Sequence, residues 1–270
     1  MTLKLIKFAY LSICWFSVNA AGNALAQSPY EISWKKDGVL AGSGLAALTV
    51  GFVVSSEVTP LTEEEIQALS PDDVNAFDRP ATNNYSESAD HASDVAVWTC
   101  LALPATALFS SRMRDDVGTI ALMYAETMLL SNGITQIVKG TMTRTRPFVY
   151  NPAAPPAQKT DPDARKSFYS SHTANAFAAA AFFATVYGDY FPDSKWEPYV
   201  WAGSMLAAAS AGYFRVEAGR HFPSDVLVGA GVGLAIGLLV PHWHRRGEQQ
   251  LNLAPSHRLG QVQMEVRYVF

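Results

Sequence analysis

Runs of apolar residues alternate with polar loops along most of the chain. Six such runs are 15 to 18 residues long and rich in Ala, Leu and Gly. Strict alternation of apolar and polar positions is absent from them, so helices fit better than strands. Pro223 predicts the start of the last helix and Pro241 its end. We therefore predict one all-α domain, a six-helix bundle, over residues 27–246. The runs are 39–55, 95–110, 117–134, 173–188, 199–214 and 226–240.

The first 26 residues depart from this pattern. Lys4 and Lys7 precede a continuous apolar stretch, and Ala24-Leu25-Ala26 forms a small-x-small site. This arrangement predicts a signal peptide over residues 1–26 that is cleaved on export. An uncleaved membrane anchor is the alternative.

The last residues show a strand pattern. Apolar and polar side chains alternate from Val262 to Phe270, which predicts a β-strand. We therefore expect a short C-terminal β-like extension over residues 247–270. A role in targeting to the outer membrane is the alternative explanation of the terminal aromatic residue.

The composition of the chain excludes several classes of protein. Hydrophobic residues make up 49% of the 270 residues and charged residues only 16%, with a formal net charge of −4. These values exclude a disordered chain and a nucleic-acid binder that relies on overall positive charge. The two cysteines, Cys14 and Cys100, form neither a disulfide framework nor a zinc-binding spacing. No cluster of metal ligands is visible in the sequence, so we expect no metal and no cofactor.

Two polar loops have opposite charge. The loop 57–94 carries ten acidic residues and one arginine, and we interpret it as a solvated acidic face around a short helix. The loop 139–172 carries six cations against two carboxylates. A net charge of +4 within an acidic chain indicates a local anion trap.

The residues suited to chemistry form three clusters at the ends of predicted helices. Antiparallel packing of neighbouring helices would bring these clusters to one end of the bundle. Three cations there could neutralise a phosphoryl group and its transition state, while two histidines could serve as nucleophile and general acid. Asp225 follows His221 by four residues, so one helical turn would bring the carboxylate towards the imidazole. The clusters span 139–147, 167–172 and 215–225.

The spacing of these clusters resembles the type 2 phosphatidic acid phosphatase (PAP2) superfamily. That superfamily includes lipid phosphatases, bacterial class A acid phosphatases and vanadium haloperoxidases. The resemblance covers residues 139–225 by motif and implies the PAP2 type of helical bundle. The matching motifs are Lys139-x6-Arg146-Pro147, Ser170-Ser171-His172 and Arg215-x5-His221-x3-Asp225.

Three positions depart from the superfamily's usual pattern. Its second motif is usually Pro-Ser-Gly-His, whereas Tyr169 and Ser171 replace the proline and the glycine here. A serine can still donate its backbone N–H to phosphate if the position does not require a positive φ. Phe214 stands where the third motif usually has a serine.

The resemblance also implies roles for the residues that match. His221 resembles the nucleophile that forms a phosphohistidine, and Asp225 its orienting partner. His172 resembles the general acid for the leaving group and then the base that activates water. The superfamily needs no metal for this reaction. Arg144, Glu217 and Arg220 lie nearby but outside the motifs. The residues that resemble the phosphate cradle are Lys139, Arg146, Ser170, Ser171 and Arg215.

The resemblance implies a phosphatase but leaves its substrate and its location open. We expect a phosphorylated lipid such as phosphatidic acid, or an isoprenyl pyrophosphate, as substrate. The alternatives are small soluble phosphoesters, vanadate-dependent halide oxidation, or a structural membrane protein with an inactive site. No nucleic-acid partner is expected, and the sequence indicates no protein partner.

Charge placement favours an exported protein of the bacterial envelope with its active site facing the periplasm. The cations Arg112, Arg114, Arg245 and Arg246 lie at the end opposite the predicted site, as the positive-inside rule requires for an outward-facing site. The apolar runs are shorter than the roughly 20 residues that a membrane span prefers. A protein integral to the inner membrane and a soluble or peripheral periplasmic protein therefore both remain open, and membrane association is undecided.

Overall fold

The computed structural model describes residues 28–247 and the backbone of residues 252–258 and 261–267. The predicted signal peptide lies outside these residues.

Helices dominate the described residues, as predicted. Five of the six apolar runs lie within a long helix, and the run 95–110 covers the end of a long helix and the 3-10 segment that follows it, Leu103–Phe109. Three short helices lie in the polar loops. The long helices are α1 (Trp34–Ser56), α3 (Glu87–Ala102), α4 (Val117–Thr141), α7 (Ser171–Tyr190), α8 (Glu197–Glu217) and α9 (Pro223–His244). The short ones are α2 (Glu63–Ala68), α5 (Pro147–Tyr150) and α6 (Pro156–Lys159).

Local chemistry explains several helix ends. Ser86 caps α3 by accepting a hydrogen bond from the Ala89 N–H, 3.2 Å away. Pro223 occupies the first position of α9, where its missing N–H is not needed. The prediction that Pro241 ends this helix is wrong, because α9 continues to His244. Pro241 and His244 are both buried, and their packing outweighs the one backbone hydrogen bond that proline removes.

Helix α7 forms the centre of the bundle. It packs against α3, α4, α8 and α9, while α1 packs along α4. Most of the buried residues of α7 are alanines. Because their side chains are small, the backbones of neighbouring helices approach it closely. At the contact with α9, a Cβ atom on Gly233 would lie 2.1 Å from the carbonyl oxygen of Ala174. Only glycine fits there, and this contact fixes the position of α9 on α7.

Three helical segments are long and apolar enough to cross a membrane. They span Trp34–Ser56, Glu87–Phe109 and Pro223–His244 and are 22 or 23 residues long. The helices therefore exceed the apolar runs and reach the roughly 20 residues that a membrane span prefers. Large apolar side chains such as Phe52 and Trp98 are exposed on them, each to 71%. A helix that faces water carries polar and charged side chains on its outer face, whereas these helices expose large apolar ones.

The C-terminal extension contains an antiparallel hairpin. Strand β1 (Asn252–Arg258) pairs with β2 (Gln261–Arg267), with Asn252 opposite Arg267. The predicted strand coincides with β2 up to Arg267, and its last three residues lie outside the described part of the chain.

Candidate active site

The three predicted clusters meet at one end of the bundle. Lys139 lies in the last turn of α4 and Arg215 in the last turn of α8. His172 lies in the first turn of α7 and Asp225 in the first turn of α9. Antiparallel succession of these helices therefore gathers their side chains as expected.

The loop 142–170 is folded back on itself at this end. The backbone N–H of Arg146 donates to the Ala164 carbonyl over 2.8 Å, and that of Arg144 donates to the Arg165 carbonyl over 2.8 Å. The N–H of Ser167 in turn donates to the Arg144 carbonyl over 3.0 Å. These bonds hold the two halves of the basic loop side by side and direct Arg146 towards His221.

His221 is fully buried and has one ring nitrogen tied to the backbone. Its Nδ1 lies 2.7 Å from the Ser167 carbonyl oxygen, which can only accept a hydrogen bond. Nδ1 therefore carries the proton, and Nε2 presents a lone pair 3.3 Å from Nη1 of Arg146. Burial lowers the pKa of His221 well below its usual range, and the charges of Arg146 and Lys139 lower it further. The imidazole is neutral and available as a nucleophile at physiological pH.

Asp225 lies beside His221 but does not hydrogen-bond to it. Its Oδ2 is 3.8 Å from Nδ1 of His221 and accepts hydrogen bonds from the Ser167 hydroxyl at 2.6 Å and the Phe222 N–H at 2.9 Å. Ser167 thus bridges the two residues, since its hydroxyl binds the carboxylate and its carbonyl binds the imidazole. The direct contact expected from the four-residue spacing is replaced by this bridge, because the carboxylate turns back to cap its own helix.

His172 is the more accessible histidine. Its Nε2 lies 3.0 Å from Oδ1 of Asp94, and its side chain is 34% exposed. Burial and the charge of Arg215 lower the pKa of His172 to about 4, while the hydrogen bond and charge of Asp94 act in the opposite direction. A phosphate dianion bound among these cations would raise this pKa again.

The three predicted cations of the cradle are almost completely buried. Lys139 donates to the Lys166 carbonyl over 2.6 Å, and Arg146 pairs with Asp163 over 2.9 Å. Arg215 pairs with Asp90, yet its buried Nε has no hydrogen-bond partner among the described residues. Burial lowers the pKa of Arg215 to about 10, with the charge of Arg146 adding to the effect. Such a concentration of buried positive charge is stabilised by an anion.

The two serines of the second motif sit at the start of α7. The hydroxyl of Ser170 accepts hydrogen bonds from the N–H and hydroxyl groups of Thr173, over 3.3 and 2.8 Å, and so caps the helix. Ser171 is the first helical residue, a right-handed conformation that serine adopts without strain. The replacement of glycine at this position therefore leaves its N–H at the helix N-terminus, where anions bind.

The expectation that the loop 57–94 is a solvated acidic face is wrong for Asp78 and Asp90, whereas Asp94 is half exposed but also paired. Asp78 is 1% exposed and binds Arg144 over 2.7 Å and the Ser224 hydroxyl over 2.6 Å. Burial alone would raise the pKa of Asp78, but the bonds from Ser224 and Arg144 hold it below its usual value. Asp90 binds Arg215 and Arg220, and Asp94 binds His172.

Arg144 is therefore part of the site's supporting structure. It links Asp78 to Asp225, whose Oδ1 lies 2.5 Å from its Nη1. Sequence spacing gives no signal for these pairs, because the partners are 66 and 81 residues apart. The presence of ten acidic residues in one loop, within a chain that also has a basic loop, was the one available hint. Glu217 is exposed.

A cavity of about 370 Å³ opens beside the cations. Phe148 and Arg220 form part of its wall, together with Gln158, Asp161 and Asp163. The wall includes two aspartates, so the cavity can accept a group that carries hydrogen-bond donors.

Comparisons with known proteins agree with the motif resemblance. A family model described as the PAP2 superfamily matches residues 120–248, which include all eight predicted site residues. A lipid A 1-phosphatase from Porphyromonas gingivalis is 36% identical over 112 residues, which are 42% of this chain. The matched part is only 23% of that protein's length.

Among solved structures, the chain is similar to a transmembrane PAP2 type phosphatidylglycerolphosphate phosphatase from Bacillus subtilis. The identity is 20% and the TM-score is 0.47, over 74% of this chain and 94% of the other.

Proposed function

Residues 120–248 belong to the PAP2 superfamily, and from this premise we propose that the protein is a phosphatase that hydrolyses a phosphomonoester through a phosphohistidine at His221. One observation carries the proposal. The buried imidazole of His221 is neutral, has its Nδ1 proton committed to a carbonyl, and directs Nε2 at Arg146 within a group of buried cations.

In the first step, the lone pair on Nε2 of His221 forms a bond to phosphorus. The bond from phosphorus to the leaving oxygen breaks, and His172 donates its proton to that oxygen. Lys139, Arg146 and Arg215 stabilise the charge that develops on the phosphoryl oxygens. The phosphorylated imidazole is positively charged, and the Ser167 carbonyl and the nearby Asp225 carboxylate stabilise it.

In the second step, water attacks phosphorus and gives a proton to His172. The bond between phosphorus and Nε2 breaks, its electron pair returns to His221, and inorganic phosphate leaves. His172 is then protonated again for the next cycle, so the balance is one water consumed for one alcohol and one phosphate released.

A phosphorylated lipid is the substrate class that we propose. Three helices have the length and apolar surface of membrane spans, which would hold the site close to a lipid surface. The relative from Porphyromonas gingivalis is named a lipid A 1-phosphatase, so its named substrate is a phosphorylated lipid. Carboxylate, amide and guanidinium side chains line part of the cavity beside the site, which suits a leaving group that carries hydroxyls. We further propose an integral protein of the inner membrane whose active site faces the periplasm. Residues 28–33 lie at the opposite end of the bundle, beside His244, so in this orientation they stay in the cytoplasm and residues 1–26 are not translocated as a cleaved export signal.

The first test compares phosphate release by the wild type and His221→Ala from phosphatidic acid in detergent micelles and from p-nitrophenyl phosphate in solution. The wild type should release phosphate, and His221→Ala should lose about 10⁴-fold or more of that activity. His242→Ala, which removes an exposed histidine, is the matched control and should retain it.

Each outcome separates the candidate functions. Release from the micelles but little from the soluble ester supports the lipid substrate, and the reverse preference favours a non-specific acid phosphatase. Full activity in His221→Ala would refute the phosphohistidine.

A further inference from the structure

A second buried cluster of titratable residues lies at the far end of α9. His244 ends this helix, Asp37 lies in the first turn of α1, and Glu126 lies in the middle of α4. Helix α9 begins beside the candidate active site, and the rise of 19 residue steps from Asp225 to His244 separates the two ends by about 28 Å. The cluster therefore has no part in the phosphatase mechanism.

The three side chains converge on a single point. Nε2 of His244 lies 2.6 Å from Oδ1 of Asp37 and 3.2 Å from Oε2 of Glu126. One ligand atom from each residue lies within 4.8 Å of the others, and all three residues are more than nine-tenths buried. An imidazole and two carboxylates are common metal ligands.

The hydrogen bonds around the cluster leave its centre short of positive charge. Nδ1 of His244 lies 2.7 Å from the Val240 carbonyl and so carries a proton. In a neutral imidazole, Nε2 would then present its lone pair to two carboxylates, which is unfavourable. A metal ion has to lie between these groups, or a proton has to sit on the ring or on one of the carboxyl groups.

The surroundings of Glu126 favour a metal ion over a proton. Its carboxylate is 0% exposed, and neither of its oxygens has a hydrogen-bond partner among the described residues. A proton shared between His244 and the nearer carboxylate, Asp37, would still leave both oxygens of Glu126 without a partner, and a proton on Glu126 would have no acceptor in the described part of the chain. A metal ion instead binds one oxygen from each carboxylate together with the imidazole nitrogen.

We propose that His244, Asp37 and Glu126 form a binding site for a divalent metal ion of the Zn²⁺ or Mn²⁺ class. The outer contacts resemble those that orient metal ligands, because the Ser33 N–H donates to Oδ2 of Asp37 over 2.5 Å and the Val240 carbonyl fixes the imidazole. The donor set, one nitrogen and two oxygens, suits these ions better than Mg²⁺ or Ca²⁺. The ion would tie α1, α4 and α9 together and so stabilise the fold.

The test measures metal binding and does not depend on phosphate release. The full chain, purified without a polyhistidine tag and stripped with a chelator, is titrated with Zn²⁺ and separately with Mn²⁺. We expect one ion per chain and a higher melting temperature on addition of metal. Glu126→Gln should weaken binding by about tenfold to 100-fold or more. Asp116→Asn, which removes a carboxylate that binds Tyr190 instead, should bind as the wild type does.

Two results would overturn the proposal. Absence of Zn²⁺ and Mn²⁺ binding to the wild type would show that the cluster holds a proton and no metal. Unchanged binding in Glu126→Gln would place the ion elsewhere, with His172 and His221 the next donors to test. If Glu126→Gln does not fold, electron spin echo envelope modulation of Mn²⁺ bound to the wild type decides the question. Mn²⁺ in the proposed site should show one coordinated imidazole nitrogen, from His244, whereas Mn²⁺ bound by His172 and His221 would show two.

Discussion

Helix α9 has a buried histidine at each end, and the two sites are built alike but charged oppositely. His221, just before the helix, and His244, at its end, each direct Nδ1 at a backbone carbonyl over 2.7 Å. In each case this leaves Nε2 as the reactive atom. Nε2 of His221 faces arginine, whereas Nε2 of His244 faces two carboxylates.

The comparison shows that the surrounding charge decides what the same side chain can do. With cations around it, a neutral imidazole can attack an anionic phosphoryl group, because the cradle attracts the anion and keeps the ring unprotonated. With carboxylates around it, the same imidazole is suited to hold a cation. Burial and tautomer are common to both sites and do not distinguish them.

Among the residues that surround the two histidines, the largest effect should come from removing a cation at the His221 end. Arg146→Ala should lower kcat/KM by about 10²- to 10³-fold, since it removes a donor to the transition state. Arg146→Lys should recover part of the loss but not the two-pronged geometry of arginine. Steady-state kinetics measure both changes.

The same variant sharpens the contrast between the two ends. Inorganic phosphate should raise the melting temperature of the wild type and not that of Arg146→Ala, while the response to Zn²⁺ should be the same in both proteins. A phosphate response that survives in Arg146→Ala would contradict the assignment of this arginine to the cradle.

A smaller effect is expected at Asp94, which supports the proton on His172. Because Asp94 raises the pKa of His172, Asp94→Asn should lower it. The protonated form needed for the leaving group is lost as pH rises through this pKa, so the decline in rate should begin at a lower pH in the variant. With an alkyl leaving group, we expect a loss of about tenfold to 100-fold on the alkaline side.

The leaving group provides the control for this prediction. The p-nitrophenolate ion needs no proton on departure, so phosphorylation of the enzyme by p-nitrophenyl phosphate should be nearly unaffected by Asp94→Asn. Equal losses for both leaving groups in a pre-steady-state experiment would show that Asp94 supports the structure and not the proton transfer.

The smallest effect should come from the bridge between Asp225 and His221. Ser167→Ala removes the hydroxyl that binds Asp225 but keeps the carbonyl that binds the imidazole. We expect a loss of about fivefold in kcat, in line with about 1 kcal/mol for one hydrogen bond. Asp225→Asn should lower kcat further, because it weakens the contacts with Ser167, Phe222 and Arg144 at the same time. Equal losses in the two variants would mean that the bridge carries the whole effect of Asp225.

The helices and the motif residues could be predicted from the sequence because both show as patterns among residues that are close along the chain. Apolar runs predict helices, and the short spacings around Arg146, His172 and His221 are visible without a structure. The helix ends were less predictable, since tertiary packing carries α9 through Pro241.

Contacts between distant parts of the chain could not be predicted. Asp78, Asp90 and Asp94 reach their partners across 66 to 146 residues. The sequence of an acidic loop is the same whether its carboxylates are solvated or paired. The residues of the His244 cluster come from three helices, so no spacing in the sequence indicates a metal site. Geometry alone brings them together.

Direct detection of the covalent intermediate tests the central claim. His172→Ala, which lacks the base that activates water, is mixed with p-nitrophenyl phosphate, quenched in alkali and digested for mass spectrometry. The mechanism predicts a phosphoryl group on His221, and none on the double variant His172→Ala/His221→Ala. A digest of His172→Ala with the phosphoryl group on another residue, or release of p-nitrophenol without any phosphorylated peptide, would contradict it.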